Sequence, residues 1–333
     1  MSAAVNGAPP MGGAGGPYSR ILGTGGFLPA RVITNHDLER MVDTSDAWIR
    51  GRTGIEQRNV VSDGETCADL AEAAARRALD AAGLAASEID LIVLATTTPD
   101  QAAPSTACLL QERLDIHGCP AFDVAAVCTG FIYALAVAEK FVRTGSARRA
   151  LVVGAEATSR VIDWTDRGTC VLFGDGAGAV VIGADDSPGI ISTHLNADGA
   201  YRELLQIPAG IGNGQTGSPY MTMKGNEVFR VAVTTLGRIV DETLAANAMT
   251  RADIDWLVPH QANSRIIQAT ARKLDLSMDQ VVSTVARHGN TSSASIPLAF
   301  DEAVRDGRIQ RGQTVLMEGF GSGFTWGSVL LRY

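Results

Sequence analysis

No stretch of this chain approaches the roughly 18 consecutive apolar residues that a membrane-spanning helix needs. Cysteine is sparse and unpatterned. Five occur, at 67, 108, 119, 128 and 170; the number is odd and no Cys-x-x-Cys is present, so a disulfide framework is not the reading. The five histidines, at 36, 117, 194, 260 and 288, stand at no metal-ligand spacing with the cysteines. Positive charge is also short. A net charge of −8 argues against a nucleic-acid binder. Residues 1–17 are rich in Gly, Ala and Pro and lack both the basic start and the apolar centre of a signal peptide. They read as a disordered tail. Nothing marks the chain as secreted, so the Asn290-Thr291-Ser292 glycosylation pattern is discounted, and a cytoplasmic location is expected. Gly23-Thr24-Gly25-Gly26 lacks the full spacing of a phosphate loop and no helix follows it, so it reads as a strand ending in a turn.

What is present is a globular composition. Of 333 residues, 46% are hydrophobic and 19% charged, enough for a large core and for one to three domains. The stretch that organises the chain is 121–145, AFDVAAVCTGFIYALAVAEKFVRTG. Its first seven residues suit a short buried strand, and a helix apolar on nearly every face follows until Gly145. Cys128 therefore falls at a strand-to-helix turn inside the protein. Unpaired N–H groups and the helix dipole gather there, and both favour a thiolate nucleophile. The competing reading is a buried cysteine that only packs.

The remaining pattern alternates helices and strands, and it repeats. Helix 69–83, strand 89–96, helix 105–114 and strand 150–154 lead through the first half. Helix 240–248, strand 254–258, helix 291–307 and strand 314–319 follow in the second. Ile254-Asp255-Trp256-Leu257-Val258 mirrors Ile89-Asp90-Leu91-Ile92-Val93 at an offset of 165, and the next strand pair repeats at 164. Matched landmarks at nearly one offset indicate a duplicated α/β unit with mixed, mainly parallel sheets covered by helices. The halves are 18–185 and 186–333, joined near the polar, turn-rich residues 183–189.

In open α/β sheets the site lies beyond the C-terminal strand ends. Cys128 follows a strand in the first half, and His260 follows its counterpart in the second. Asn290 precedes the helix equivalent to the one after Cys128. A pseudo-two-fold axis would bring the three together. Cys, His and Asn permit two chemistries. One is papain-like hydrolysis, with His as general base. The other is carbon–carbon bond formation on a cysteine thioester, in which His260 and Asn290 donate hydrogen bonds to a carbonyl where enolate charge develops. Residues 319–328, GFGSGFTWGS, follow the last paired strand, and their backbone could complete an oxyanion hole with the N–H of Cys128. Residues 173–179, FGDGAGA, run into a strand and read as a structural turn.

VAAVCTG, VPHQAN, RHGNTSSASIP and GFGSGFTWGS, with TSDAWIRGRTGI, TDRGT and FGDGAGA, together resemble the β-ketoacyl-acyl carrier protein synthase III family of the thiolase-like superfamily, from about Tyr18 to Tyr333. The resemblance implies a thiolase-like fold. It implies condensation of an acyl-CoA starter with malonyl-acyl carrier protein, which opens fatty acid synthesis and releases CoA and CO₂. No tightly bound cofactor is implied. It assigns Cys128 as the acyl acceptor, His260 and Asn290 as the decarboxylation pair, and the backbone N–H groups of Cys128 and Ser322 as the oxyanion hole. Ser322 stands where close relatives often carry Gly. Trp48 and Arg167 match the residues that sandwich the CoA adenine, Arg52 one near its phosphates, and Phe229 and Asn263 the pantetheine neighbours. Arg230, Arg265, Arg272 and Lys273 match the carrier-protein docking surface. The family is dimeric, and Ala103 stands where many relatives carry a bulkier residue that closes the acyl pocket across the dimer. A longer or branched starter is therefore expected. A Cys-His-Asn thioesterase, a paralogous synthase of a specialised polyketide-type pathway and a non-catalytic acyl-binding scaffold are the other readings.

Overall fold

The computed structural model describes residues 18–333; the tail expected over 1–17 lies outside the described residues. The chain contributes nine strands to two sheets. Residues up to 185 supply β1 (Tyr18–Phe27), β2 (Leu91–Ala95), β3 (Ala121–Val124), β4 (Arg149–Glu156) and β5 (Gly176–Asp185). The rest supplies β6 (Ile190–Ala197), β7 (Trp256–Pro259), β8 (Thr314–Gly321) and β9 (Thr325–Arg332). The helices that matter for the site are α1 (Asp46–Thr53), α2 (Cys67–Ala82), α3 (Gly130–Arg143), α4 (Gly225–Ala246), α5 (Ser264–Lys273) and α6 (Ser295–Arg305).

The first sheet runs β1-β5-β4-β2-β3 and the second β6-β9-β8-β7. The order is the same in both, and Val281 forms a parallel bridge to Leu257 where β3 would stand in the second sheet. Both sheets are mixed. The pairs β2–β3, β2–β4 and β7–β8 are parallel. The pairs β1–β5, β4–β5, β8–β9 and β9–β6 are antiparallel. The parallel part is thus smaller than the alternation of elements suggests, and it lies where the site is built.

α3 and α6 fill the middle layer. Phe131, Ile132 and Leu135 of α3 and Ile296 and Phe300 of α6 pack with Val93 and Val152 of one sheet and Val315, Met317 and Val329 of the other. α2 covers the outer face of the first sheet, and α4 and α5 cover that of the second. The layers do not divide the core by halves. Ile33, Ile49, Val60 and Phe173 leave the first half to pack with Leu257, Leu316 and Phe324 of the second.

Two local expectations change. β1 runs straight through Gly23–Gly26 rather than ending there. The reason is α2: a Cβ on Gly25 would stand 2.3 Å from the Ala74 carbonyl oxygen, and one on Gly23 2.4 Å from that of Ala78. Alanines on the helix and glycines on the strand let the two backbones touch. Likewise β5 begins at Gly176, inside the glycine run, because Gly178 lies against Pro297 and Leu298 of α6.

Candidate active site

β3 stops at Val124, and the chain turns sharply before α3. Val127 takes φ +48°, a left-handed conformation that costs a β-branched residue strain. Cys128 comes next, in a short 3₁₀ turn leading into α3, and is 4% exposed. Its Sγ lies 3.6 Å from Ser292 Oγ. The helix-start argument favours a thiolate, yet burial outweighs it. Desolvation, with the nearby Glu156 charge adding to it, pushes the thiol up to about 12, opposed by its hydrogen bond with Ser292. Cys128 is therefore a protonated thiol.

The second half repeats this turn. Ser292, 165 positions after Val127, also has φ +48°, and a short 3₁₀ turn over Ser292–Ala294 leads into α6. The two helices therefore align by their starts, and α6 is the shorter. Each turn is pressed by a glycine of the opposite half. A Cβ on Gly321 would meet Cys128 N at 2.8 Å, and one on Gly154 would meet the Ser293 carbonyl oxygen at 2.4 Å. Thr325 ties the 321–325 hairpin down, its hydroxyl donating to Ala126 O while Thr129 donates to Thr325 O. This places the backbone around Ser322 beside Cys128, whereas the Ser322 hydroxyl turns away and donates to Leu205 O.

His260 follows β7, is 5% exposed, and donates its backbone N–H to Glu318 O at 2.8 Å. Its Nδ1 lies 2.5 Å from Ser295 Oγ, which also accepts the Gln261 N–H. Ser295 Oγ thus engages Nδ1 and leaves Nε2 as the second hydrogen-bonding nitrogen of the ring. Burial pushes the imidazole down to about 3, so it is neutral. Asn290 is buried, and its Oδ1 accepts the Ser292 N–H at 2.9 Å. The amide is thereby oriented with Nδ2 as the outward donor. The stretch 290–295 thus reaches all three residues: it contains Asn290, Ser292 contacts Cys128, and Ser295 holds His260. A cleft of about 740 Å³ opens beside the turn, lined by Thr97, Val127, Leu205, Ile207, Met221 and Ser322.

The other expected residues lie outside this centre. Trp48 on α1 is covered by Arg167 at 4.8 Å and approached by Arg52 at 5.7 Å. Trp48 and Arg167 are in contact, so a base enters between them only after they part. Phe229 on α4 lies under the Arg265 guanidinium at 5.6 Å. Asn263 caps α5 through Oδ1 and donates from Nδ2 to Arg52 O. Arg230, Arg265 and Arg272 are exposed on α4 and α5, with no acidic partner among the described residues. Lys273 lies along Gly237, its ammonium 3.5 Å from Thr234 O. Ala103 is exposed and does not line the cleft of its own chain.

Three site residues escaped the sequence reading. Ser292 and Ser295 sit in a polar run with no distinctive spacing. Glu156 had one signal, a charge that directly follows the apolar run 150–155 of β4. It is fully buried, and Ser292 Oγ donates to its Oε1 at 3.0 Å.

A family model described as 3-oxoacyl-[acyl-carrier-protein (ACP)] synthase III matches residues 122–199, and the corresponding C-terminal model matches 244–333. A β-ketoacyl-[acyl-carrier-protein] synthase III of Thioalkalivibrio sulfidiphilus is 65% identical across 95% of this chain and 99% of its own. The chain belongs to the β-ketoacyl-[acyl-carrier-protein] synthase III family. A synthase III relative from Thiobacillus denitrificans is 64% identical over 95% of this chain and 99% of its own. The synthase III structure from Aquifex aeolicus superposes with a TM-score of 0.90 at 46% identity, over 95% of this chain and all of that one. The priming β-ketosynthase of the R1128 polyketide pathway superposes at 0.91 and 36% identity, over 97% and 99%. The fold is the thiolase-like α/β architecture of these synthases.

Proposed function

We propose that this synthase III opens fatty acid synthesis by joining an acyl-CoA starter to malonyl-acyl carrier protein. It is an acyltransferase. Cys128 accepts the acyl group through a thioester and CoA leaves. The malonyl carrier then loses CO₂, and the resulting carbanion attacks the acyl-Cys128 carbonyl. The observation that carries this reading is the buried, neutral His260, whose Nδ1 is engaged by Ser295. Together with Asn290 Nδ2 it donates to the malonyl thioester oxygen as enolate charge grows there. Losing one such donor costs roughly 10²–10³ in rate. A papain-like hydrolase needs the histidine as a base on the thiol. Here Cys128 pairs with Ser292 instead, which disfavours the thioesterase reading.

The finer assignments follow the same reading. The backbone N–H groups of Cys128 and Ser322 hold the acyl oxygen. Trp48, Arg52 and Arg167 receive the CoA nucleotide, and Phe229 and Asn263 flank its arm. Arg230, Arg265, Arg272 and Lys273 steer the acidic carrier. The protein works as a cytoplasmic homodimer on soluble substrates, with no tightly bound cofactor. Ala103 leaves room for a longer or branched starter. The boundary at 185/186 marks a repeat rather than two folding units, since the core crosses it. The similarity to the R1128 priming enzyme keeps a specialised pathway as the second reading.

Intact-protein mass spectrometry with a ladder of acyl-CoAs tests this. One acyl adduct, absent in Cys128→Ala and discharged by malonyl carrier into a β-ketoacyl carrier, is expected. An adduct that decays to free acid without malonyl carrier would overturn the reading. Discharge by a polyketide carrier but not by a fatty acid carrier would move the enzyme to the specialised pathway.

A further inference from the structure

We propose that Ser292 and Glu156 form the path by which the Cys128 thiol surrenders its proton during acylation. The inference rests on Cys128 being the acyl acceptor. The hydrogen bonds are consecutive: Cys128 Sγ donates to Ser292 Oγ at 3.6 Å, and Ser292 Oγ donates to Glu156 Oε1 at 3.0 Å.

The far end of the path is built as an acceptor. Glu156 is fully buried at the C-terminal end of β4. Buried acidic groups are usually paired with a cation. This one has no Lys, Arg or His partner among the described residues. It is cradled by Thr98 Oγ1 at 2.7 Å, Thr97 Oγ1 at 3.0 Å, Thr97 N–H at 3.1 Å and Thr96 Oγ1 at 3.3 Å. Hydroxyl donors can rotate when the carboxyl takes a proton, whereas an ion pair would oppose it.

The middle of the path is held under strain. Ser292 sits at φ +48°, a conformation that strains a non-glycine residue and persists only where surrounding structure enforces it. That backbone carries the hydroxyl between sulfur and carboxyl. His260 is not placed as the base, because its Nδ1 is engaged by Ser295 and the Cys128 thiol donates to Ser292 instead.

The step balances. The bond from Sγ to the acyl carbon forms as the sulfur proton passes to Ser292 and the serine proton to the Glu156 carboxylate. The negative charge moves and none is added, so the Glu156 charge that disfavours a Cys128 thiolate is discharged as the thiolate is needed. The bond from the acyl carbon to CoA sulfur then breaks. The departing thiolate takes the proton back through Ser292, and Glu156 returns to its carboxylate.

Acylation of Cys128 by acyl-CoA, followed by rapid-quench intact mass from pH 6 to 9, tests the path with Ser292→Gly and Glu156→Gln. Glycine accepts φ +48° without strain and removes the hydroxyl together with its Cβ; glutamine keeps the shape of the side chain. The expected result is acylation slowed about 10²–10⁴-fold. The remaining rate should rise tenfold per pH unit, because only pre-formed thiolate reacts. Variants loaded by long incubation should then discharge into malonyl carrier within threefold of the native rate. Native-like acylation and an unchanged pH profile overturn the proposal. So does an equal loss in both half-reactions, or a lowered melting temperature with no change of pH profile, since either is what a purely structural pair would give. Failure of the native enzyme itself to form an adduct at Cys128 would instead sink the nucleophile assignment.

Discussion

At the scale of single residues, the site works by burial. His260 and Cys128 both sit where water is excluded, and both are held neutral. Glu318 shares the condition. It is fully buried, neither carboxyl oxygen has a hydrogen-bond partner among the described residues, and burial pushes it up to about 8. These groups have opposite consequences for stability. Between pH 3 and 6.5 the unfolded chain protonates His260 and the fold does not, so stability falls as pH drops through that window. Between pH 4.5 and 8 the unfolded chain ionises Glu318 and the fold keeps it protonated, so stability falls as pH rises. Glu318→Gln cannot ionise. Its melting temperature relative to the native protein should climb steadily from pH 5 to pH 8. A difference that stays flat across that range would refute the assignment. Cys128 was legible in the sequence because an apolar strand, a cysteine and an apolar helix are contiguous. Ser292 and Glu156 were not. They meet across 136 positions, and no local pattern records a contact between the two halves.

At the scale of elements, glycine sets how closely pieces approach. Gly25 lets β1 lie on α2, and Gly321 lets the 321–325 hairpin lie on the Cys128 turn. The same substitution should therefore act differently at the two places. Gly25→Ala overpacks a strand–helix contact remote from the chemistry, and should lower stability in urea by about 1–3 kcal/mol with kcat per folded enzyme unchanged. Gly321→Ala pushes on Cys128 N, and should cut the acylation rate at least tenfold in enzyme that still melts cooperatively. Equal effects of the two variants on activity per folded molecule would contradict this. The elements themselves were legible where their period was clean. α2, β2, β4, β7 and β8 fall within a few residues of expectation. α4 did not. Only its end was expected, because Val228, Val231, Val233, Thr234 and Thr235 favour strand and Gly237 weakens a helix. Packing of Ala232, Leu236 and Val240 into the core overrides those preferences.

At the scale of the whole molecule, β3 matters most. It is the edge of the first sheet, and its four residues are half-buried, Phe122 and Val124 among them. An unpaired edge with apolar side chains is a template for another strand. Sedimentation at micromolar concentration should give twice the 34.9 kDa chain mass. A monomer there would sink both the dimer and the role given to Ala103. The repeat was legible because two strand pairs recur at one offset. The crossing of the core between halves was not, because residues 31–60 carry no mark of the side on which they pack.

That crossing bears on synthesis. Ile33, Ile49, Val60 and Phe173 leave the ribosome long before Leu257, Leu316 and Phe324, the residues that cover them. At about 5–20 residues per second, translating 186–333 takes roughly 7–30 s. For that interval the nascent first half shows an apolar flank to the cell, and its protection there falls to chaperones.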